Sequence, residues 1–249
     1  TNMKKILSLL ILFLIFADVL AQRKKKKNNL NPNTISYELP NIKWRSVGPY
    51  RGGRSATVSG STSSKSTFYF GSTGGGVWKT TNSGVTWKNI SDGYFGGSIG
   101  AVTVSESDPN IIYVGAGEKT VRGNVSPGYA GFWKSYDAGE SWKKMNLDIN
   151  QVQVGRIAVH PKNPDIVYVA IIGDLFKNSK DRGIYKSIDG GESWKQVLFS
   201  NERSGAVDIS IDKSNPRIIY ASTWNIRRTP YSLESGGEGS GLWKSTDGG

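Results

Sequence analysis

Cysteine is absent from this chain, and histidine occurs once, at His160. The first absence removes disulfides, thiolate metal sites and cysteine nucleophiles. The second removes histidine-rich metal centres and leaves a Ser-His-Asp triad resting on one residue. No metal and no cofactor are expected. Charge of one sign is also scarcer than the total suggests. Of the 32 basic and 20 acidic residues behind the net charge of +12, seven and one precede Asn28, so the remainder carries +6. Arg23 to Lys27 form one basic block, and such a run is a solvated segment. A flexible basic tail binds phosphate without sequence preference, so no specific nucleic-acid partner is expected. Long hydrophobic runs are missing except near the N-terminus. There Lys4-Lys5 precede an apolar stretch, Ile6 to Phe16, that ends before Asp18. A membrane span needs about 18 apolar residues. The stretch fits a cleaved signal peptide, residues 1–21, cut after Ala21. The expectation is a secreted, cell-surface or periplasmic protein with no transmembrane segment after cleavage and a basic linker over 22–43.

Glycine and tryptophan are plentiful, at 31 and 8 residues. Glycine is thus about 12% of the chain against a usual level of about 7%, which predicts many turns and short strands. The turns recur. Thr80-Thr-Asn82-Ser-Gly84-Val-Thr86-Trp87, Ser135-Tyr-Asp137-Ala-Gly139-Glu-Ser141-Trp142 and Ser187-Ile-Asp189-Gly-Gly191-Glu-Ser193-Trp194 align without gaps, and Ser245-Thr-Asp247-Gly-Gly249 begins a fourth copy. Around each copy lie short β-branched and aromatic runs bounded by Gly, Pro, Asn and Asp. Examples are Ile111-Ile-Tyr113-Val, Ile166-Val-Tyr168-Val and Ile218-Ile-Tyr220-Ala, then Gly131-Phe-Trp-Lys, Gly183-Ile-Tyr-Lys and Gly241-Leu-Trp-Lys. Each repeat reads as four strands, A to D from the centre outward. A period near 50 residues of this kind predicts an all-β propeller with four-stranded antiparallel blades. The blades fall over roughly 44–92, 93–147, 148–199 and 200–249, in a domain spanning 44–249. The chain stops inside a repeat and reads as an N-terminal piece of a propeller of about seven blades or more. Its remaining blades are then partners, and an open arc with exposed blade edges is expected to associate.

The motif explains itself mechanically. Asn82, Asp137, Asp189 and Asp247 bond their own backbone two residues on. Gly84, Gly139 and Gly191 take positive φ. The following Ser or Thr starts strand D, and Trp87, Trp142 and Trp194 pack between neighbouring sheets. With Trp78, Trp133 and Trp243 on third strands, only Trp44 and Trp224 lie outside the architecture.

These repeats resemble the Asp-box, or BNR repeat, of sialidases, sortilin-type propellers, family 74 xyloglucanases and photosystem assembly propellers. The resemblance covers about residues 44–249. It implies the fold and leaves the activity open.

Strand alternation puts the A–B turns and Asp boxes on one face and the B–C and D–A loops on the other. The B–C loops are elaborated: Gly115 to Ala130, Gly173 to Arg182 and Ser222 to Ser240, against Gly71 to Gly75 in the first repeat. Long loops on a rigid scaffold carry function. They hold the candidate acids Glu118, Asp174, Glu234 and Glu238, with Asp181 and Arg182 beside them. The candidate ligand-binding residues are Arg122, Trp224, Arg227, Arg228 and Tyr231. Arg54 and Arg156, at the starts of innermost strands, point towards the channel mouth, and Arg51, Tyr94 and Phe95 join them from D–A loops. A cleft of Arg, carboxylate and aromatics suits a glycan, a peptide or a carboxylate ligand. Two functions remain open: a protein- or glycan-binding propeller, and a glycoside hydrolase using two carboxylates. The family resemblance places a catalytic acid where this chain has Thr73, which cannot act as a carboxylate base. Arg54 and Arg156 match two of a sialidase's three arginines, without its Arg-Ile-Pro signature.

Overall fold

The computed structural model describes residues 54–118, 128, 131–149 and 153–249, and every strand among them belongs to one of four antiparallel sheets. The signal-peptide and linker segments, Trp44, Arg51, Arg122 and most of the loop from 115 to 130 lie outside the described residues. The first sheet holds β1 (Ser55–Ser61), β2 (Ser64–Ser72), β3 (Val77–Thr80) and β4 (Lys88–Asn89). The second holds β5 (Ile99–Val104), β6 (Ile112–Ala116), β7 (Phe132–Ser135) and β8 (Lys143–Met145). The third holds β9 (Val154–His160), β10 (Asn163–Ile171), β11 (Gly183–Ser187) and β12 (Lys195–Leu198). In these three, strand order is sequence order. The fourth has β13 (Ser204–Ile211), β14 (Ile219–Arg228), β15 (Leu233–Ser235) and β16 (Gly241–Ser245). Here β16 pairs with residues 219–223 of β14, whereas β15 pairs with residues 226–228. The stretch Ser222 to Ser240, expected as a loop, is therefore largely a hairpin that prolongs the second strand. Among the described residues there is no helix, and the four sheets do not close into a ring.

The core lies between successive sheets. Tyr69, Val77, Ile99, Ile112 and Trp142 fill the first interface. Tyr113, Phe132, Val154 and Val167 fill the second. Tyr168, Ile184, Ala206 and Ile219 fill the third. Inner strands pack backbone to backbone, which explains a recurring glycine. A Cβ on Gly100 would stand 2.0 Å from the Val154 carbonyl oxygen, and one on Gly205 would stand 2.1 Å from that of Ile172.

The Asp box works differently from its two-residue expectation. The Asn82, Asp137 and Asp189 Oδ1 atoms accept the amide four residues on, from Thr86, Ser141 and Ser193, at 2.8–2.9 Å. The first hydroxyl of the motif also accepts from the glycine amide: Thr80 Oγ1 from Gly84, Ser135 Oγ from Gly139 and Ser187 Oγ from Gly191, at 2.8–2.9 Å. Only Asp247 keeps a bond two residues on, from Gly249 at 3.2 Å. The glycine takes positive φ as expected, and so does the residue before it, including Ser83 at 57° and Ala138 at 58°. Strand D starts after the tryptophan rather than at the Ser or Thr, because that residue is still held by the turn. Trp142 and Trp194 reach the preceding sheet, where Trp142 Nε1 donates to the Ile90 carbonyl at 2.8 Å and Trp194 meets Phe132 edge-on at 5.2 Å. Trp87, by contrast, lies edge-on to Phe70 of its own sheet and is 37% exposed.

The hydroxyl and amide of Ser193, with the Ser187 hydroxyl, hold the Asp189 carboxyl well below the usual carboxylate range. A folded-state value below the unfolded one means stabilisation that is complete above the unfolded value of about 3.9 and is lost as pH falls through it towards the folded value. Asp189→Asn copies what Asn82 already does and deletes this dependence. The melting temperature of the wild type should therefore fall more steeply than that of the variant between about pH 4 and pH 2. Parallel curves would contradict the assignment.

Candidate functional site

On the face opposite the Asp boxes, three segments far apart in sequence are tied together. They are residues 172–182 after β10, residues 199–203 after β12, and the β14–β15 hairpin. The Arg228 amide donates to the Leu175 carbonyl at 2.7 Å, the Ile226 amide to Arg203 at 3.1 Å and the Ser179 amide to Glu202 at 3.0 Å. Ile172, Leu175 and Ile226 form a small apolar cluster beneath them, with Val207 and Trp224 packed against it. Arg182 stands at the centre and is 1% exposed. Its Nη1 donates to the Arg203 carbonyl at 2.8 Å. Its Nη2 donates to the Asp174 carbonyl, and at 3.4 Å to those of Lys177 and Ile226. Burial lowers its pKa to about 10, with Asp174 opposing and Arg203 assisting, so it stays charged at neutral pH. Arg182 is a fastener of the loops, not a ligand-reaching group.

Above this clamp lies a polar groove of about 600 Å³. Asn178, Asn201, Glu202, Arg203, Asn225, Glu234 and Glu238 line it, with Gly236 and Gly237 at the hairpin end. Arg203 Nη2 pairs with the Glu234 carboxylate. The Glu238 carbonyl accepts from Asn201 Nδ2 at 3.1 Å, Ser204 Oγ at 3.0 Å and Asn225 Nδ2 at 2.8 Å, which seats the hairpin end on the inner strand. With Arg203 engaged by Glu234, the groups left to meet a ligand are the Glu202 and Glu238 carboxylates and the Asn178 amide. That set suits hydroxyls and amines better than an anion.

The structure divides the residues singled out from sequence. Glu234 and Glu238 share the groove. Asp174 is buried beneath it, its Oδ1 accepting from the Phe176 amide at 2.8 Å and its Oδ2 lying 3.7 Å from Lys177 Nζ. Glu118 is buried at the end of β6, where its amide donates to Gln153 Oε1 at 2.7 Å. Neither Asp174 nor Glu118 is among the residues that line the groove. Arg156 lies apart on β9, 3.7 Å from Asp208 of β13. With Glu106 and Lys213 it lines a smaller cavity of about 170 Å³ along the inner strands. Arg54 is exposed just before β1. Arg228 Nη1 donates to the Ser232 carbonyl at 3.0 Å, and Trp224 Nε1 to Ser235 Oγ at 3.1 Å, so both brace the hairpin. Arg227 and Tyr231 are exposed on it. Phe95, expected in the cleft, is instead core, stacked on Trp133 at 4.8 Å. Sequence reasoning missed Asn201, Glu202, Arg203 and Asn225. The D–A loop that carries the first three was on the right face, but nothing set its residues apart from other polar loop residues. Among the described residues no group of three or more acids or histidines could hold a metal ion, and no helix is long and apolar enough to cross a membrane.

The repeat architecture recurs in known proteins. A sequence-family model described as sortilin, neurotensin receptor 3, matches residues 130–249. A xyloglucanase from a Paenibacillus species is 28% identical over 177 residues, 65% of this chain and 15% of that protein. The xyloglucanase Xgh74A of Acetivibrio thermocellus is 26% identical over 177 residues and is covered to 18%. An ancestral GH74 enzyme superposes with a TM-score of 0.61 at 21% identity, covering 84% of this chain and 25% of that enzyme. This chain is built of Asp-box β-propeller repeats. The GH74 enzyme of Niastella koreensis shows the same fold, with a TM-score of 0.56 at 15% identity over 76% of this chain and 28% of the enzyme. This Asp-box chain thus spans less than a fifth of the curated relatives' length and under a third of these structures.

Proposed function

We propose that this Asp-box propeller is a binding module of an exported protein and recognises a protein or glycan on its long-loop face. The observation that carries the reading is the 600 Å³ groove, whose walls are three loop segments fixed by one buried arginine. A rigid, polar, open groove is what hydroxyl- or amine-bearing ligands need, since its carboxylates and amides are positioned before binding. Glycan and peptide arrays, followed by calorimetry on the hits, test it. Binding is expected, and Glu202→Gln with Glu238→Gln should weaken it by about tenfold or more, as loss of hydrogen bonds to charged groups does. Arrays with no binding at all would refute the proposal.

The relatives named xyloglucanases favour a second reading, a glycoside hydrolase in which Glu234 and Glu238 supply the carboxylate chemistry. Assays on xyloglucan, β-glucan and sialosides separate the two. Hydrolysis that disappears in Glu234→Gln or Glu238→Gln would replace the binding reading with the enzymatic one.

A further inference from the structure

The groove on the long-loop face has a charge and a hydrogen-bonding character that select among ligands. Its lining side chains include three carboxylates, Glu202, Glu234 and Glu238, against one guanidinium, Arg203. Beneath it the charges of Arg182 and Asp174 oppose each other. The groove is therefore an acidic spot on a chain that is net basic. Arg203 is engaged with Glu234, and the carboxylates of Glu202 and Glu238 have no ion-pair or hydrogen-bond partner among the described residues.

Asn225 adds a further acceptor. It lines the groove yet is only 7% exposed. Its Nδ2 donates to the Glu238 carbonyl, while its Oδ1 has no partner among the described residues. Apart from Asn178, the side-chain donors are already engaged: Arg203 by Glu234, and the Asn201 and Asn225 amides by the Glu238 carbonyl. The open positions are thus mainly acceptors. An anion would meet two unpaired carboxylates. A neutral glycan brings hydroxyls that need donors as well as acceptors. It also lays its C–H faces on aromatic rings, and none of the described residues lining the groove is aromatic. Ammonium and guanidinium groups donate only, which is what these acceptors lack. A pocket for a small free amine encloses its ligand, whereas this groove lies open between loops. Phe176, two residues before Asn178, is 43% exposed, and exposed aromatics of this kind are enriched where proteins meet.

We propose that the groove receives a lysine or arginine side chain of a protein partner, with the Glu202 and Glu238 carboxylates and the Asn225 Oδ1 as its acceptors. The inference rests on the reading of the groove as a binding site and narrows its ligand to one class.

Fluorescence anisotropy with a capped, labelled octapeptide of alternating glycine and arginine, on the 249-residue chain, tests it. The peptide is expected to bind, and more weakly as salt is raised. Citrulline in place of arginine keeps the shape and drops the charge, and should weaken binding by about tenfold or more, as should Glu202→Gln with Glu238→Gln. Arg203→Gln should have the opposite sign and tighten binding about threefold, because it removes a like charge and releases Glu234. A merely structural role for Arg203 would not produce that gain. Equal binding of the citrulline peptide, or weaker binding in Arg203→Gln, overturns the assignment. Spermidine that displaces the peptide at equal concentration overturns a protein as the source of the cation. A peptide that does not bind overturns the inference as well. If the array hits are then neutral glycans, the groove keeps its binding role with a different ligand, and if the arrays are also blank, both readings fall.

Discussion

Arg182→Ala is expected to destabilise the protein by about 3–5 kcal/mol, the usual cost of removing one partner from a buried charged network. The guanidinium is 1% exposed and donates to four backbone carbonyls, those of Asp174, Lys177, Arg203 and Ile226. Truncation leaves those buried acceptors without their partner, and each unsatisfied acceptor costs about 1–3 kcal/mol before relaxation. Some of that cost is offset because the Arg182 Nε already lacks a hydrogen-bond partner, so its removal relieves an existing penalty. Arg182→Lys should recover part of the loss and no more, since an ammonium cannot place parallel donors on two carbonyls as a planar fork does. Denaturant unfolding of the three proteins measures the ranking. Hydrogen exchange adds a spatial readout: protection should fall first at the amides of Ile226, Arg228 and Ser179, which close the groove walls. An alanine variant within about 1 kcal/mol of wild type would show that the loops hold together without the clamp.

Arg182 also marks the boundary of what the sequence can tell. Its place in a long loop was readable, but its role needs carbonyls from residues 174, 203 and 226 to meet at one point, and no local pattern encodes that. The repeats are legible for the opposite reason. Their hydrogen bonds close within five residues, as in Ser187 to Gly191 and Asp189 to Ser193, so spacing alone reveals them. The Tyr–Lys pair that recurs across second and third strands, as Tyr113 does opposite Lys134, falls between these limits. Tyr113 and Lys134 recur visibly in sequence, yet their acceptor at Gly190 belongs to the next repeat. Glycines show the same division. Gly139, at φ 91°, is explained by its own turn, whereas Gly100 is required only because the Val154 carbonyl of the neighbouring sheet comes so close. Two of the candidate acids miss the groove for a related reason: loop membership fixes a face of the fold but not whether a side chain reaches that face, and Asp174 and Glu118 turned inward.

Trp142→Ala is expected to cost about 3–5 kcal/mol, as large aromatic truncations in packed cores do. The indole is 7% exposed, packs edge-on against Phe95 at 5.4 Å and donates from Nε1 to the Ile90 carbonyl at 2.8 Å. Its loss opens a cavity at the first interface and leaves that carbonyl unpaired. The chain contains its own control. Trp87 ends the same motif and touches Phe70 at 4.7 Å, but it is 37% exposed and bonds no neighbouring sheet among the described residues. Trp87→Ala should therefore cost no more than about 1–1.5 kcal/mol, the range of an aromatic pair. The difference between the two variants, measured by denaturant unfolding in dilute solution, is the contribution of sheet-to-sheet packing to one Asp-box tryptophan. Equal losses would mean that the tryptophan stabilises its own turn and that the neighbouring sheet adds little.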